Sequence, residues 1–141
     1  MYFKRIHPNA KLPTYGTAYA DCFDFYAPES VTIPAHKTVM VKAGLIALIP
    51  IGCAMHIYAR SGLSIKRGIV LANSVGIIDS DYRNELVIAL HNTTDEVVTI
   101  EADERIAQGR IVNTTRHNIQ EYFGEITQIG DRTGGLGSTG K

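Results

Sequence analysis

Tryptophan is absent from this sequence, and cysteine nearly so: Cys22 and Cys53 stand far apart and form no C-x-x-C. That argues against a disulfide framework and a zinc site. Both thiols lie in apolar stretches, as small core residues do. An excess of one charge is missing as well. Lys+Arg 14 and Asp+Glu 14 give a formal net charge of +0. A general nucleic-acid binder shows a basic excess, so no nucleic-acid partner is expected; a small anionic ligand needs only a few well-placed cations. No apolar run approaches a membrane span, and the N-terminal M-Y-F-K-R-I-H-P lacks the core of a signal peptide. The expected setting is therefore cytoplasmic, with no membrane contact. The sequons at Asn92 and Asn113 then read as chance or as turn residues. The five histidines show no ligand spacing. No G-x-S-x-G elbow and no Cys/His pair support a covalent mechanism.

Helical periodicity is also scarce. Short apolar segments are separated by turn residues instead. Cys53 to Tyr58 alternates, with Cys53, Met55 and Ile57 on one face. Leu86 to Leu90 is a continuous apolar run, as in a strand buried on both faces. Val97 to Ile100 and Ile111-Val112 are rich in β-branched residues. The pattern predicts an all-β sandwich or barrel in one domain of 141 residues. Ser61 to Gly68, with a Ser start and a Gly stop, predicts one short helix.

Four stretches and the tail carry polar chemistry. Arg60-Ser61-Gly62 opens the short helix and reads either as an anion site or as a helix cap with a surface Arg. The stretch from Leu71 to Glu85 sets Asn73, Asp79, Asp81 and Asn84 among residues too apolar for an exposed loop. Asp79 follows two isoleucines and is expected to be partly buried, either as a general base in a cleft or as a hairpin acid making turn hydrogen bonds. In Arg105-Ile106-Ala107-Gln108, the Arg and Gln read as solvent-facing. Asp24 alternates with Phe23 and Phe25, the pattern of an exposed strand position. Five glycines, Gly130, Gly134, Gly135, Gly137 and Gly140, crowd the tail. Gly135 to Lys141 fits G-x-x-x-x-G-K, yet that motif works through a following helix, and none is expected here. Residues from about 125 to 141 are expected to form a mobile arm.

In this order the pieces resemble the trimeric dUTPase family. Five separated motifs carry the resemblance over nearly the whole chain: Ala20-Asp21-Cys22-Phe23-Asp24-Phe25, Arg60-Ser61-Gly62-Leu63, Asn73 to Tyr82, Arg105-Ile106-Ala107-Gln108, and Arg132 to Gly140. The resemblance implies a distorted jelly-roll or β-clip barrel and a homotrimer with shared active sites. The glycine arm would fold over a triphosphate bound at a neighbouring subunit. It implies hydrolysis of dUTP to dUMP and pyrophosphate with Mg²⁺, which limits uracil in DNA and supplies dUMP for dTMP synthesis. Asp79 would activate the attacking water. Arg60, Ser61, Gly62, Gln108, Arg132, Gly137, Ser138 and Thr139 would hold phosphates, with Arg105 in support. Asn73, Gly76 and Ile78 would read the uracil edge, Tyr82 would pack under the deoxyribose, and Leu136 would cover the base. Asp24 would act on the metal through water only.

Leu136 stands where the family usually carries Phe. Losing that stacking costs on the order of 1 kcal/mol, so weaker substrate binding is expected. The related dCTP deaminases place a Glu on the strand after the third motif. Here Leu86 to Leu90 is wholly apolar, with Ala89 near that position. A nucleotide-sensing protein on the same fold is the other alternative, since arm closure would change the surface offered to a protein partner.

Overall fold

Alternation and β-branching produce strands almost throughout. The computed structural model describes residues 1–131. In chain order these form β1 (Tyr2–Arg5), β2 (Thr14–Tyr15), β3 (Phe23–Tyr26), β4 (Val31–Ile33), β5 (Thr38–Lys42), β6 (Leu45–Leu48) and β7 (Cys53–Tyr58). Then come α1 (Ser61–Arg67), β8 (Ile69–Leu71), β9 (Val75–Ile78), β10 (Val87–Asn92), β11 (Val98–Ile100) and β12 (Arg105–Asn113). The largest sheet runs β2-β3-β12-β7-β9, and β5-β10-β8 forms a second. Two further pairs, β1-β6 and β11-β4, complete the described ladders. The architecture is all-β and jelly-roll-like, with open sheets in place of a closed barrel.

The one short helix forms where the sequence predicts it, but its cap differs. Arg60, not Ser61, occupies the N-cap, in extended conformation, and makes no side-chain capping bond. Gly68 ends the helix in the left-handed region, which glycine enters without a Cβ clash. This helix is too short and too polar to span a membrane.

Phe25, Ile33, Leu45, Met55, Ile69, Leu86, Ile88, Leu90, Ile100 and Ile106 are almost fully buried and form the centre of the core. Leu86, Ile88 and Leu90 supply one face of the predicted apolar strand. Val87 and Ala89, on its other face, are only half-buried and line a narrow cavity. Asn92 is fully buried. Its Nδ2 donates to Ile33 O and Glu96 O, and its Oδ1 accepts from the Thr94 amide and hydroxyl. The first sequon is thus a structural turn residue.

Phe23 and Phe25 pack edge-to-face at 5.6 Å between centroids, and Phe3 meets both rings. Gly109 of β12 lies against them. A Cβ there would stand 2.8 Å from Phe25 Cε2 and 3.0 Å from Phe23 Cε2. Gly109→Ala is therefore expected to destabilise the fold by about 1–3 kcal/mol through overpacking, read as a lower urea midpoint. Phe25→Leu in the same chain should recover part of that loss. Simple addition of the two losses would contradict the contact as the cause.

Candidate functional site

The pleat places one row of side chains across the large sheet. Thr14 pairs with Asp24, Asp24 with Gln108, Gln108 with Tyr58, and Tyr58 with Val75. Paired residues share a face. Arg105 and Gln108 are three residues apart and would point to opposite faces of a regular strand. The register of β12 against β3 shifts between Arg105 and Ala107. That bulge adds one residue and turns Arg105 toward Asp24.

Asp24 is buried, at 8% exposure, which overturns the exposed position read from its alternation with Phe23 and Phe25. The reason is charge pairing. Its Oδ1 accepts from Arg60 Nε at 2.8 Å and its Oδ2 from Arg105 Nη1 at 3.3 Å. Arg60 Nη1 also donates to Arg105 O at 3.4 Å. One carboxylate thus holds two guanidiniums, and the cluster keeps a net positive charge. Arg105 is half-exposed, so it faces solvent as expected while remaining tied to Asp24. Gln108 Nε2 donates to Ala59 O at 2.9 Å, which fixes the chain just before Arg60. Ser61 and Gly62 sit exposed in the first turn of α1.

A second group of candidate residues lies at the far edge of the same sheet. The segment from Asn73 onward is not a paired hairpin. β8 pairs with β10 and β9 with β7, so the chain crosses from one sheet to the other. A tight turn makes the crossing: Ser74 has φ 61° and its amide donates to Leu71 O at 3.1 Å. Between the sheets lies a narrow cavity of about 70 Å³ lined by Ile57, Leu71, Asn73, Gly76, Ile78, Ala89 and their neighbours. A side chain at Gly76 would close it, since a Cβ there would meet Ile57 Cβ at 3.3 Å and Asn73 Nδ2 at 3.6 Å.

Asp79 follows Ile78, which ends β9 and lines the cavity. It is exposed, not partly buried as its two preceding isoleucines led us to expect, because in this single chain nothing covers the turn that starts there. Tyr82 N donates to Asp79 O at 3.2 Å. Arg83 Nη1 clasps Ser80 O at 2.6 Å and Tyr82 O at 2.9 Å. The Tyr82 hydroxyl donates to Glu85 O at 2.9 Å. Arg83 and Glu85 were not among the sequence candidates. Arg83 donates to backbone carbonyls and the Glu85 carboxylate accepts from a backbone amide, contacts that leave no signature in residue order.

The two groups stay apart in one chain. Asp79 follows Ile78, which pairs with Met55, whereas the Asp24 row crosses β7 at Tyr58. Three strand spacings and four residues separate them, roughly 14 Å across the sheet and 13 Å along it. Arg132, Leu136, Gly137, Ser138 and Thr139 lie outside the described residues.

Among the described residues, no group of three His, Cys, Asp or Glu side chains is placed to hold a metal ion. Both Asp24 oxygens are taken by guanidinium. The described residues therefore do not fit an ion held directly by protein ligands. Cys22 offers no alternative chemistry: burial, and next the charge of Asp21, push its thiol above the ordinary value, and a thiol so shifted is a poor nucleophile.

Asp24→Asn should leave Arg60 and Arg105 crowded without their counter-charge. Losing one member of a buried pair is strongly destabilising, but the exposure of Arg105 moderates it, so a loss of about 1–3 kcal/mol is expected. Chemical denaturation measures it. A loss that vanished when Arg105→Ala was added would confirm the crowding, whereas an unchanged loss would contradict it.

Comparison with known proteins shows the family. A family model described as dUTPase matches residues 8–140. The deoxyuridine 5'-triphosphate nucleotidohydrolase of Picosynechococcus sp. is 40% identical over 136 residues, covering 96% of this chain and 95% of that protein. The crystal structure of dUTPase from Streptococcus mutans aligns with a TM-score of 0.77 at 33% identity, over 82% of this chain and 98% of its own. A Staphylococcus bacteriophage 80alpha dUTPase with dUPNHPP reaches a TM-score of 0.90 over 99% of this chain and 97% of its own, at 23% identity; that likeness shows the fold alone. With the family model spanning nearly the whole chain, and a relative of similar length at 40% identity, this chain belongs to the dUTPase family.

Proposed function

We propose that this chain hydrolyses dUTP to dUMP and pyrophosphate. The observation that carries the reading is the narrow cavity lined by Asn73, Gly76 and Ile78, with Asp79 the next residue along the chain and, on the same chain, a cationic cluster fixed by Asp24. The cavity takes the uracil edge. Backbone groups at Gly76 and Ile78 and the Asn73 amide pair with it, and a tight apolar wall rejects the thymine methyl. Cytosine is rejected because its polar groups are left mismatched. The Tyr82 ring packs beneath the deoxyribose. No general base for deamination is offered at Ala89, which lines the cavity with an apolar methyl.

Asp79 accepts a proton from water as the water oxygen attacks the α-phosphorus. The bond from that phosphorus to the β-phosphate oxygen breaks in line, and pyrophosphate leaves. Arg60 and Arg105, with Ser61, Gly62 and Gln108, hold the phosphate charge. Arg132, Gly137, Ser138 and Thr139 close over it, and Leu136 covers the base. Mg²⁺, which the described residues would not ligate directly, would supply charge neutralisation to the triphosphate, offsetting about two of its roughly four negative charges. Asp24 would act on the ion through water only, and it holds the two arginines.

The same reading makes the enzyme a homotrimer. Asp79 and the Asp24 cluster belong to one site but stand too far apart in one chain to share a substrate, so a second copy completes each site. Beyond β12, residues 114–131 form no strand or helix, and Ile119, Phe123, Ile126 and Ile129 are each at least 87% exposed. Exposed apolar side chains along one segment suit a partner surface, and residues from about 125 onward then serve as the arm that reaches a neighbour.

Pyrophosphate release is expected from dUTP with Mg²⁺ and to be small from dTTP, dCTP and UTP at equal concentration. Asp79→Asn should keep nucleotide binding and lower kcat by about 10²-fold or more. Release of ammonia from dCTP would overturn the reaction, and a near-normal kcat in Asp79→Asn would overturn the base.

A further inference from the structure

The turn that carries Asp79 and Tyr82 is fastened at its far end by the Glu85 carboxylate and by the backbone of the next residue. Glu85 lies just ahead of β10, with its side chain 23% exposed. Its Oε1 accepts the Gly44 amide at 3.0 Å, while its backbone carbonyl accepts the Tyr82 hydroxyl at 2.9 Å. The next residue anchors the same point from the backbone: Leu86 N donates to Leu45 O at 2.8 Å, and Leu86 O accepts from Ala43 N at 2.9 Å. Gly44 is itself a fixed wall. It sits at φ 68°, where a Cβ would stand 2.6 Å from His7 Cβ and 2.8 Å from Ala10 Cβ. The Lys42 ammonium lies 3.7 Å from Glu85 Oε2 but is 75% exposed, so it adds little. The charge-assisted bond to the Gly44 amide is the stronger tie.

We propose that Glu85 is a positioning residue for sugar discrimination: its carboxylate, bound to Gly44, holds its own carbonyl beneath the Tyr82 hydroxyl and so fixes the plane of the Tyr82 ring. The proposal rests on the reading of Tyr82 as the ring under the deoxyribose. Discrimination against a ribose depends on that ring refusing to move. Apolar packing tolerates a small tilt, whereas a hydroxyl tethered to a fixed carbonyl adds a directional constraint. A looser ring admits the 2′-hydroxyl and raises turnover of UTP relative to dUTP.

The test is the ratio of kcat/KM for dUTP to that for UTP, measured with Mg²⁺ on folded variants. Glu85→Gln keeps an acceptor for the Gly44 amide and should hold the ratio within about twofold of the parent. Glu85→Ala should lower it about tenfold, mainly through better use of UTP. Tyr82→Phe, which removes the tethered hydroxyl and keeps the ring, should lower it similarly. The Glu85→Ala/Tyr82→Phe double variant should go no further, because both changes cut one link. A folded Glu85→Ala with the parental ratio overturns the proposal. If Glu85→Ala fails to fold, Tyr82→Phe decides alone, and an unchanged ratio there overturns it. Tyr82→Ala separates the two levels. A parental ratio in Tyr82→Ala sinks the sugar-packing reading itself and the proposal with it. A relaxed ratio there with an unchanged one in Glu85→Ala sinks only the role of Glu85.

Discussion

Asp24 sits between Arg60 and Arg105, and much of the described cationic half of the site hangs on that arrangement. The carboxylate belongs to β3, one guanidinium to the link between β7 and α1, and the other to the first residue of β12. Two arginines brought together without it would repel each other and splay. With it they form a partly buried hinge point that still carries a net positive charge toward solvent. Gln108 reinforces the hinge by tying β12 to Ala59. The bulge before Ala107 is what makes the geometry available, because it lets two residues of opposite pleat serve one face.

The half proposed to read the base is built on a different physical basis. Its cavity is a gap between two sheets, kept open by the missing side chain at Gly76 and walled by apolar residues of β7, β8 and β10. The apolar run from Leu86 to Leu90 then has two duties: alternate residues fill the core, while Val87 and Ala89 face the cavity. The turn bearing Asp79 projects past this cavity into solvent. Exposed as it is in one chain, Asp79 gains an enclosed environment only if a second copy covers it, in line with the proposed trimer.

Much of this was legible in residue order. Turn spacing and β-branching announced an all-β fold, and Gly68 announced the end of its helix. The five motifs announced the family. What stayed hidden depended on tertiary contact. The burial of Asp24 was not visible, because its alternation with phenylalanines is the same whether water or guanidinium lies above it. The bulge in β12 left only the adjacent buried pair Ile106-Ala107 as a trace. The exposure of Asp79 and the crossing at Ser74 depend on which sheet each strand joins, and local sequence does not encode that. Glu85 and Arg83 act on backbone atoms and carry no motif.

The central claim is that one chain supplies two halves of different active sites. Mixing Asp79→Asn and Arg60→Ala subunits tests it most directly. Each variant alone should be nearly inactive. After the two are unfolded together and refolded at equal amounts, every mixed trimer should hold one site with both Asp79 and Arg60 intact, restoring about one quarter of parental dUTP turnover. Mixtures no more active than the separate variants would contradict the account, because they would place both residues in a site built within a single chain.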